Sequence, residues 1–232
     1  MNLLSILLVS SLSTVQGFSA STSTSKTPTL VPEVDVQAAY AASSFPIAPD
    51  DLIIRAKEVM GPDIGVGTKD DGACLADDFV FCAAVVGPIP KADYIDALGT
   101  FKLEDSFDIN QNLFGWNVDP MQTNRVWFMG RSVATHTGTF AGAEATGKEL
   151  VMPPQQFHLD FNEKGHVKEI GFYTVDRQQG TTGGLGGAFG YFYGVGKALP
   201  IREAKPFKPS FRYRTLQRIG KIAKKFQGGK KE

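Results

Sequence analysis

Histidine and cysteine are scarce: three and two in 232 residues. No Cys-x-x-Cys pair or Cys/His cluster is present, which excludes a zinc ribbon, and two cysteines make no disulfide scaffold. Cys74 and Cys82 pair in a secreted protein, or serve as small core residues in a reducing compartment. No apolar run reaches the roughly 20 residues of a membrane span. There is no Gly-x-Gly-x-x-Gly, and Gly196-Lys197 is followed by Ala198 where a phosphate loop needs Ser or Thr, so the glycine-rich stretch Thr181–Lys197 is not a nucleotide site. Nothing in the sequence asks for a metal or a cofactor, and no internal repeat is visible. Net charge is also absent, at 24 basic against 24 acidic residues, but the balance conceals segregation. Residues 201–232 hold 11 Lys/Arg against 2 Asp/Glu, or +9, leaving 13 against 22, or −9, for residues 1–200.

At the start, Leu3-Leu4-Ser5-Ile6-Leu7-Leu8-Val9 has the length of a signal-peptide core, with Val15 and Gly17 near a cleavage point, so residues 1–17 read as a signal peptide. Residues 18–33 begin at Phe18, are rich in Ser and Thr, and contain no acid before Glu33, which is transit-peptide composition. The pair resembles the bipartite presequences of algae with secondary plastids, which implies a plastid location. A secreted protein with a hydroxyl-rich linker is the alternative.

Residues 34–69 form a proline-punctuated lead-in around a short helical piece, Val34 to Ala42, and then a helix. Asp50 and Asp51 favour the start of that helix, and Leu52, Ile53, Ala56, Val59 and Met60 follow at three- and four-residue steps. From Cys74 to Phe81 a short helix is predicted to give way to a strand. Lys91 to Phe101 reads as a second helix, with Tyr94, Ile95, Leu98 and Phe101 on one stripe. Strands are predicted around Leu113–Val118, Asn124–Thr137, Glu149–Phe161 and His166–Val175, the last two joined by a hairpin through Asn162-Glu163-Lys164-Gly165. Helices followed by a curved antiparallel sheet make an α+β layer fold. A curved sheet covered on one face encloses a pocket, so an apolar small molecule is the expected partner.

Several pieces in residues 70–177 carry a family resemblance. They are Ala76-Asp77-Asp78-Phe79-Val80-Phe81, Gly87-Pro88-Ile89 before the helix holding Tyr94, Thr135-His136-Thr137-Gly138 with Gly142 and Ala145-Thr146-Gly147-Lys148, and Phe161 through Glu169. In this order and spacing the chain resembles the NTF2-like superfamily, in its SnoaL-like branch. The resemblance implies a cone, a bent sheet wrapped around helices with an apolar pocket between them, and frequent dimers. Its members include cyclases, isomerases, dehydratases and non-catalytic binders, so the fold leaves the function open. The cyclases pair a strand histidine with an aspartate fourteen residues later. His158 stands at that histidine position, but Phe172 stands fourteen residues on and accepts no proton.

Substitutes for the missing base are Asp160, on the strand face of His158, Asp78, whose pKa burial would raise, and His136 on the neighbouring strand. Tyr94, Trp116, Trp127, Arg131, His136 and Phe172 are the candidate pocket lining, with Arg131 expected to pair with an acid such as Asp160 or to hold an anionic ligand. The expectation is a binding or accessory protein. The alternatives are a SnoaL-like isomerase, cyclase or dehydratase using His158, and a protein-interaction module.

Residues 178–200 are read as a glycine-rich cover packed over the cone. Residues 201–232 form a basic amphipathic tail in which Phe211, Leu216, Ile219, Ala223 and Phe226 fall on helical spacing among Arg and Lys. Such a helix lies on an anionic membrane or packs on the acidic body. The acidic body opposes nucleic-acid binding.

Overall fold

The structure, a computed structural model, describes residues 33–228 apart from Lys102, with the backbone path alone for 223–228. The presequence expected over residues 1–33 therefore lies outside the described residues, save Glu33. Helix α1 (Val36–Ala41) is capped by Asp35, whose carboxylate accepts from the Ala38 amide at 3.0 Å. Helix α2 (Pro49–Met60) has proline at its start and Asp50 and Asp51 in its first turn, and it buries Leu52, Ala56 and Val59. Strands β1 (Leu75–Phe81) and β2 (Ile89–Pro90), helices α3 (Lys91–Phe101) and α4 (Leu103–Ser106), and strand β3 (Phe107–Asn110) follow. Next come β4 (Leu113–Asp119), β5 (Gln122–Gly130), β6 (Val133–His136), β7 (Glu149–Val151), β8 (Gln155–Phe161) and β9 (Val167–Thr174). Helices α5 (Gly187–Gly194) and α6 (Phe211–Gly228) complete the chain.

Six strands pair in the order β2-β1-β9-β8-β5-β4, antiparallel except for β1 against β9, and three more pair as β3-β6-β7. Each of the two longest predicted strands is broken in two. One leaves the large sheet at Arg131-Ser132 and continues as β6; the other enters it through Pro153-Pro154, between β7 and β8. Proline has no amide to give a ladder, so the break falls where the pairing must stop. The Met152 amide still donates to the Ser132 carbonyl at 2.9 Å and holds the two bends together. These breaks carry the chain from one sheet into the other. In the hairpin between β8 and β9, Gly165 adopts φ 75°, which glycine takes at no steric cost.

Three details differ from the sequence reading. Leu75–Phe81 is strand from its first residue, because the turns before it end at Cys74 and β1 pairs at once with β9. Strand β3 was not anticipated; at four residues its alternation is too short to register. The glycine-rich segment contains a helix, α5, which carries no charge and buries Tyr191 and Phe192. A β carbon at Gly190 would lie 2.6 Å from the Met152 sulfur, and one at Gly194 would lie 2.6 Å from Leu150 Cδ1, so these glycines let α5 sit directly on β7.

Strand alternation sorts the large sheet into two faces. Across β5, β8 and β9, Val126, Phe128, Phe157, Leu159, Phe161 and Ile170 point to the concave side, where α2 and Tyr94 of α3 close over them. Full burial of a side chain such as Val126, Phe128, Leu159 or Phe161 contributes about 1.5–3 kcal/mol relative to exposure. A second cluster, Phe107, Ala134, Phe140, Leu150, Met152, Tyr191 and Phe192, lies between the small sheet and α5.

Candidate functional site

The opposite, outer face of the large sheet gathers the polar chemistry. Register places Arg125 opposite Asp160 and Asp160 opposite Glu169, while Trp127 faces His158 and His158 faces Gly171. Arg125 donates to Asp160 through Nε at 2.5 Å and Nη2 at 2.7 Å, and Gln122 Nε2 donates to the same carboxylate at 2.8 Å. Arg125 also lies 3.6 Å from Glu169. The Trp127 indole stands edge-on to the His158 ring and Tyr173 stacks on it, with centroids 5.0 and 5.8 Å away.

His158 is 1% exposed although it projects from the outer face. Its Nε2 meets Glu169 Oε1 at 2.8 Å. A carboxylate only accepts, so the neutral ring carries its proton on Nε2 and leaves Nδ1 as a bare acceptor. That nitrogen is sealed from solvent and has no hydrogen-bond partner among the described residues. The ring lies across Gly171: a β carbon there would collide with His158 Cε1 and come 2.6 Å from the Cys82 carbonyl. Burial holds the imidazole pKa below its ordinary value, against the opposing pull of the Glu169 hydrogen bond. His158 is thus a neutral, enclosed ring with no open path for a substrate.

His158 and Asp160 share a face, but each is already committed to another partner. Asp160 is neutralised by Arg125, not by Arg131. Arg131 sits at the strand bend, exposed, with Nη1 donating to Gln179 at 3.2 Å, so its expected pairing with Asp160 is corrected. Asp78 is exposed and bonded to Lys168 at 3.1 Å, outside any pocket with His158. Phe172 belongs to the other face: since His158 pairs with Gly171, the residue fourteen positions on points to the concave side. The carboxylate that does reach His158 is Glu169, its diagonal neighbour across the pair of strands, eleven residues on. The hairpin turn alone would place Asp160 opposite Lys168; a register shift between Asp160 and Phe161 moves it opposite Glu169, and the sequence carries no signal of that shift.

The expected pocket residues do not converge on one cavity. Tyr94 is buried and its hydroxyl donates to the Val66 carbonyl at 3.4 Å. Trp116 stacks on Phe128 at 4.1 Å, Trp127 is on the outer face, and His136 is wholly buried in the second cluster, stacked on Phe107 with Nδ1 3.1 Å from Thr146 Oγ1. Phe172 joins other concave residues that keep some exposure. Its ring lies 5.9 Å from Phe81 and 6.0 Å from Phe157, and all three are partly exposed. These three rings form an apolar seam; Phe81 and Phe157, like Leu98 and Leu113, pack against the main core, and a β carbon at Gly187 of α5 would lie 2.7 Å from Phe172 Cζ. Two open clefts lie elsewhere: one of about 850 Å³ beside Arg177, Phe207 and Tyr213, the other of about 990 Å³ beside Asp77, Asp78, Lys91 and Lys168.

His158, Asp160 and Glu169 bring donor atoms within 4.8 Å of one another, the spacing of a metal site. Arg125 already supplies the positive charge between the two carboxylates. Neither cysteine is paired, and burial, followed by the nearby Asp70 carboxylate, pushes the Cys74 thiol up to about 12, so it stays protonated and unreactive.

A bent, mostly antiparallel sheet wrapped around helices, and not closed into a barrel, is an α+β fold. Among solved structures, the chain is similar to a protein named for SnoaL-like polyketide cyclases from Jannaschia sp. CCS1, with 14% identity over 57% of this chain and 89% of that one, TM-score 0.41. It is also similar to AclR from Streptomyces galilaeus, provisionally assigned as a hydroxylase, with 17% identity over 53% and 86%, TM-score 0.39. A third is an LEH-like epoxide hydrolase from M. tuberculosis, with 12% identity over 53% and 81%, TM-score 0.37. No protein-family model matches the sequence, and no curated protein matches it.

Proposed function

We propose that this chain is a non-catalytic binding protein that seats an apolar small molecule on the concave seam formed by Phe81, Phe157 and Phe172. The observation that carries the reading is the contrast between the two faces. Three neighbouring phenyl rings on the concave side keep solvent exposure, while His158 lies on the opposite face, enclosed. Apolar walls with few polar groups suit an uncharged ligand. A SnoaL-like isomerase, cyclase or dehydratase requires an imidazole or carboxylate within reach of the bound carbon acid. Phe81, Phe157 and Phe172 supply neither.

Mass spectrometry of molecules that copurify with the natively expressed chain tests this. The expected result is an apolar compound whose occupancy falls in Phe172→Asp and is unaffected by His158→Gln. Turnover of that compound, abolished in His158→Gln, would instead establish the enzyme. Absence of any bound compound would favour the interaction module. The proposed place of action is the plastid, a reading supported by the composition of residues 1–33; import of a fluorescent fusion carrying those residues tests it.

A further inference from the structure

Among its described side chains, Phe211 to Ile222, the last helix is exposed on both of its faces. At about 100° per residue, Phe211, Leu216, Ile219 and Ile222 of α6 fall within an arc of roughly 140°. Each of these four side chains is more than half exposed, at 74%, 66%, 57% and 56%. Arg214, Arg218 and Lys221 occupy the other side, and Arg212 is the one cation inside the apolar arc. The helix contains six Lys/Arg and no Asp/Glu. Among the described residues none of its cations forms an ion pair, even though residues 1–200 carry a net −9. The counter-charge for α6 is therefore not supplied by its own body.

The root of the helix is fixed. The Tyr213 amide donates to Ser210 Oγ at 3.2 Å, the Phe207 amide donates to the Gly183 carbonyl at 3.0 Å, and the Arg177 guanidinium lies over the Phe207 ring at 5.3 Å. So α6 is held to the glycine-rich segment at one end, and its side chains from Phe211 to Ile222 are exposed. A helix of 18 residues is about 27 Å long. Among the described residues no helix is long and apolar enough to cross a membrane.

We infer that α6 lies flat on an anionic membrane surface, with Phe211, Leu216, Ile219 and Ile222 in the acyl boundary and Arg214, Arg218 and Lys221 among the phosphates. A leaflet supplies both things the helix lacks, continuous apolar contact along one side and dense negative charge along the other. An acidic protein groove supplies them only if shaped for this helix, and nothing in α6 marks a specific register: Arg212, Arg214, Arg218 and Lys221 form no ion pair among the described residues, and its apolar residues are plain aliphatic and phenyl groups. This attachment is independent of the concave seam, and either can fail alone.

The test is cosedimentation of the full chain with vesicles of phosphatidylcholine alone, and of phosphatidylcholine and phosphatidylglycerol at roughly 3:1. Because Leu3–Val9 is also apolar, two exposed-face variants carry the result: Leu216→Asp/Ile219→Asp, which removes the apolar side, and Arg218→Glu/Lys221→Glu, which reverses charge. Neither touches the core, and circular dichroism checks that each remains folded. The wild-type chain is expected to sediment with the anionic vesicles and not the neutral ones, and added salt should release it. Each cation lost should weaken binding by about fivefold, so the charge variant should bind at least about 25-fold more weakly, and the apolar variant should also detach. Binding that survives both variants, or that is equal on neutral vesicles, would overturn the inference. So would a wild-type chain that ignores vesicles but captures an acidic protein through α6.

Discussion

Gly171→Ala tests the position of the His158 ring most sharply, because the structure and the general rule predict opposite signs. Gly171 sits in mid-strand without a positive φ, so alanine is conformationally allowed. On backbone grounds alone, replacing glycine at a compatible site stabilises by about 0.4–1 kcal/mol. Here the added β carbon meets His158 Cε1, His158 Nδ1 at 2.8 Å and the Cys82 carbonyl at 2.6 Å. The ring has nowhere to retreat: Trp127 stands against its edge, Tyr173 covers its face and Glu169 holds Nε2. Overpacking of this sort costs about 1–3 kcal/mol, and more where backbone must also move. In a domain of this size that lowers the melting temperature by about 2–12 °C. Thermal unfolding followed by circular dichroism reads it directly. A cycle with His158→Ala separates the two obstacles: relief of at least about 1 kcal/mol in the double variant assigns the clash to the imidazole. Gly171→Ala as stable as wild type would refute the placement of the ring, and with it the claim that His158 is enclosed.

Three further outcomes follow from the same structure. Arg125→Met should destabilise the fold by about 2–3 kcal/mol, since it strands Asp160 and Glu169 beside one another on a half-buried surface, whereas Arg131→Ala should leave the melting temperature within about a degree; equal effects would contradict the pairing. His158 has a folded pKa depressed below 6.5, so its contribution to stability is fully present above pH 6.5 and is lost as pH falls through the depressed value. Urea titrations across that range should therefore show a steeper acid decline in the wild type than in His158→Gln, and identical slopes would show that the ring titrates freely. Gly190→Ala should cost about 1–3 kcal/mol by driving α5 away from Met152, while Gly220→Ala on the exposed α6 should favour the helix by about 0.5–1 kcal/mol, as read by thermal unfolding and by helical ellipticity respectively.

Much of the architecture was legible because alternation and turns are local. The run Phe157-His158-Leu159-Asp160-Phe161 announces a strand with one apolar face, and Asn162–Gly165 announces the hairpin that reverses it. The breaks at Arg131-Ser132 and Pro153-Pro154 were harder to read, since curvature is a property of two paired strands and one strand's sequence shows only half of it. The site was read less well for a related reason. Alternation says that His158 and Phe157 point opposite ways; it does not say which of the two points inward until the helices are in place. Polar His158, Asp160 and Arg125 went to the outer face because Leu52, Ala56 and Val59 of α2 and Tyr94 of α3 claimed the concave one. Glu169, the actual partner of His158, is missed by hairpin arithmetic, because a register shift between Asp160 and Phe161 offsets the pairing by one residue. Its importance is hidden in the sequence because a glutamate in a strand end is ordinarily a solvated charge. The lack of a partner for α6 was not decidable from sequence, where packing against the acidic body and lying on a membrane are equally consistent with its pattern.

The enclosure of His158 can be measured chemically. Diethyl pyrocarbonate modification of the native full chain, mapped by peptide mass spectrometry, should label the partly exposed His166 and leave His158 untouched until the protein is unfolded. Labelling of His158 at the rate of His166 in the folded protein would contradict the account, because an imidazole open to that reagent is open to a substrate.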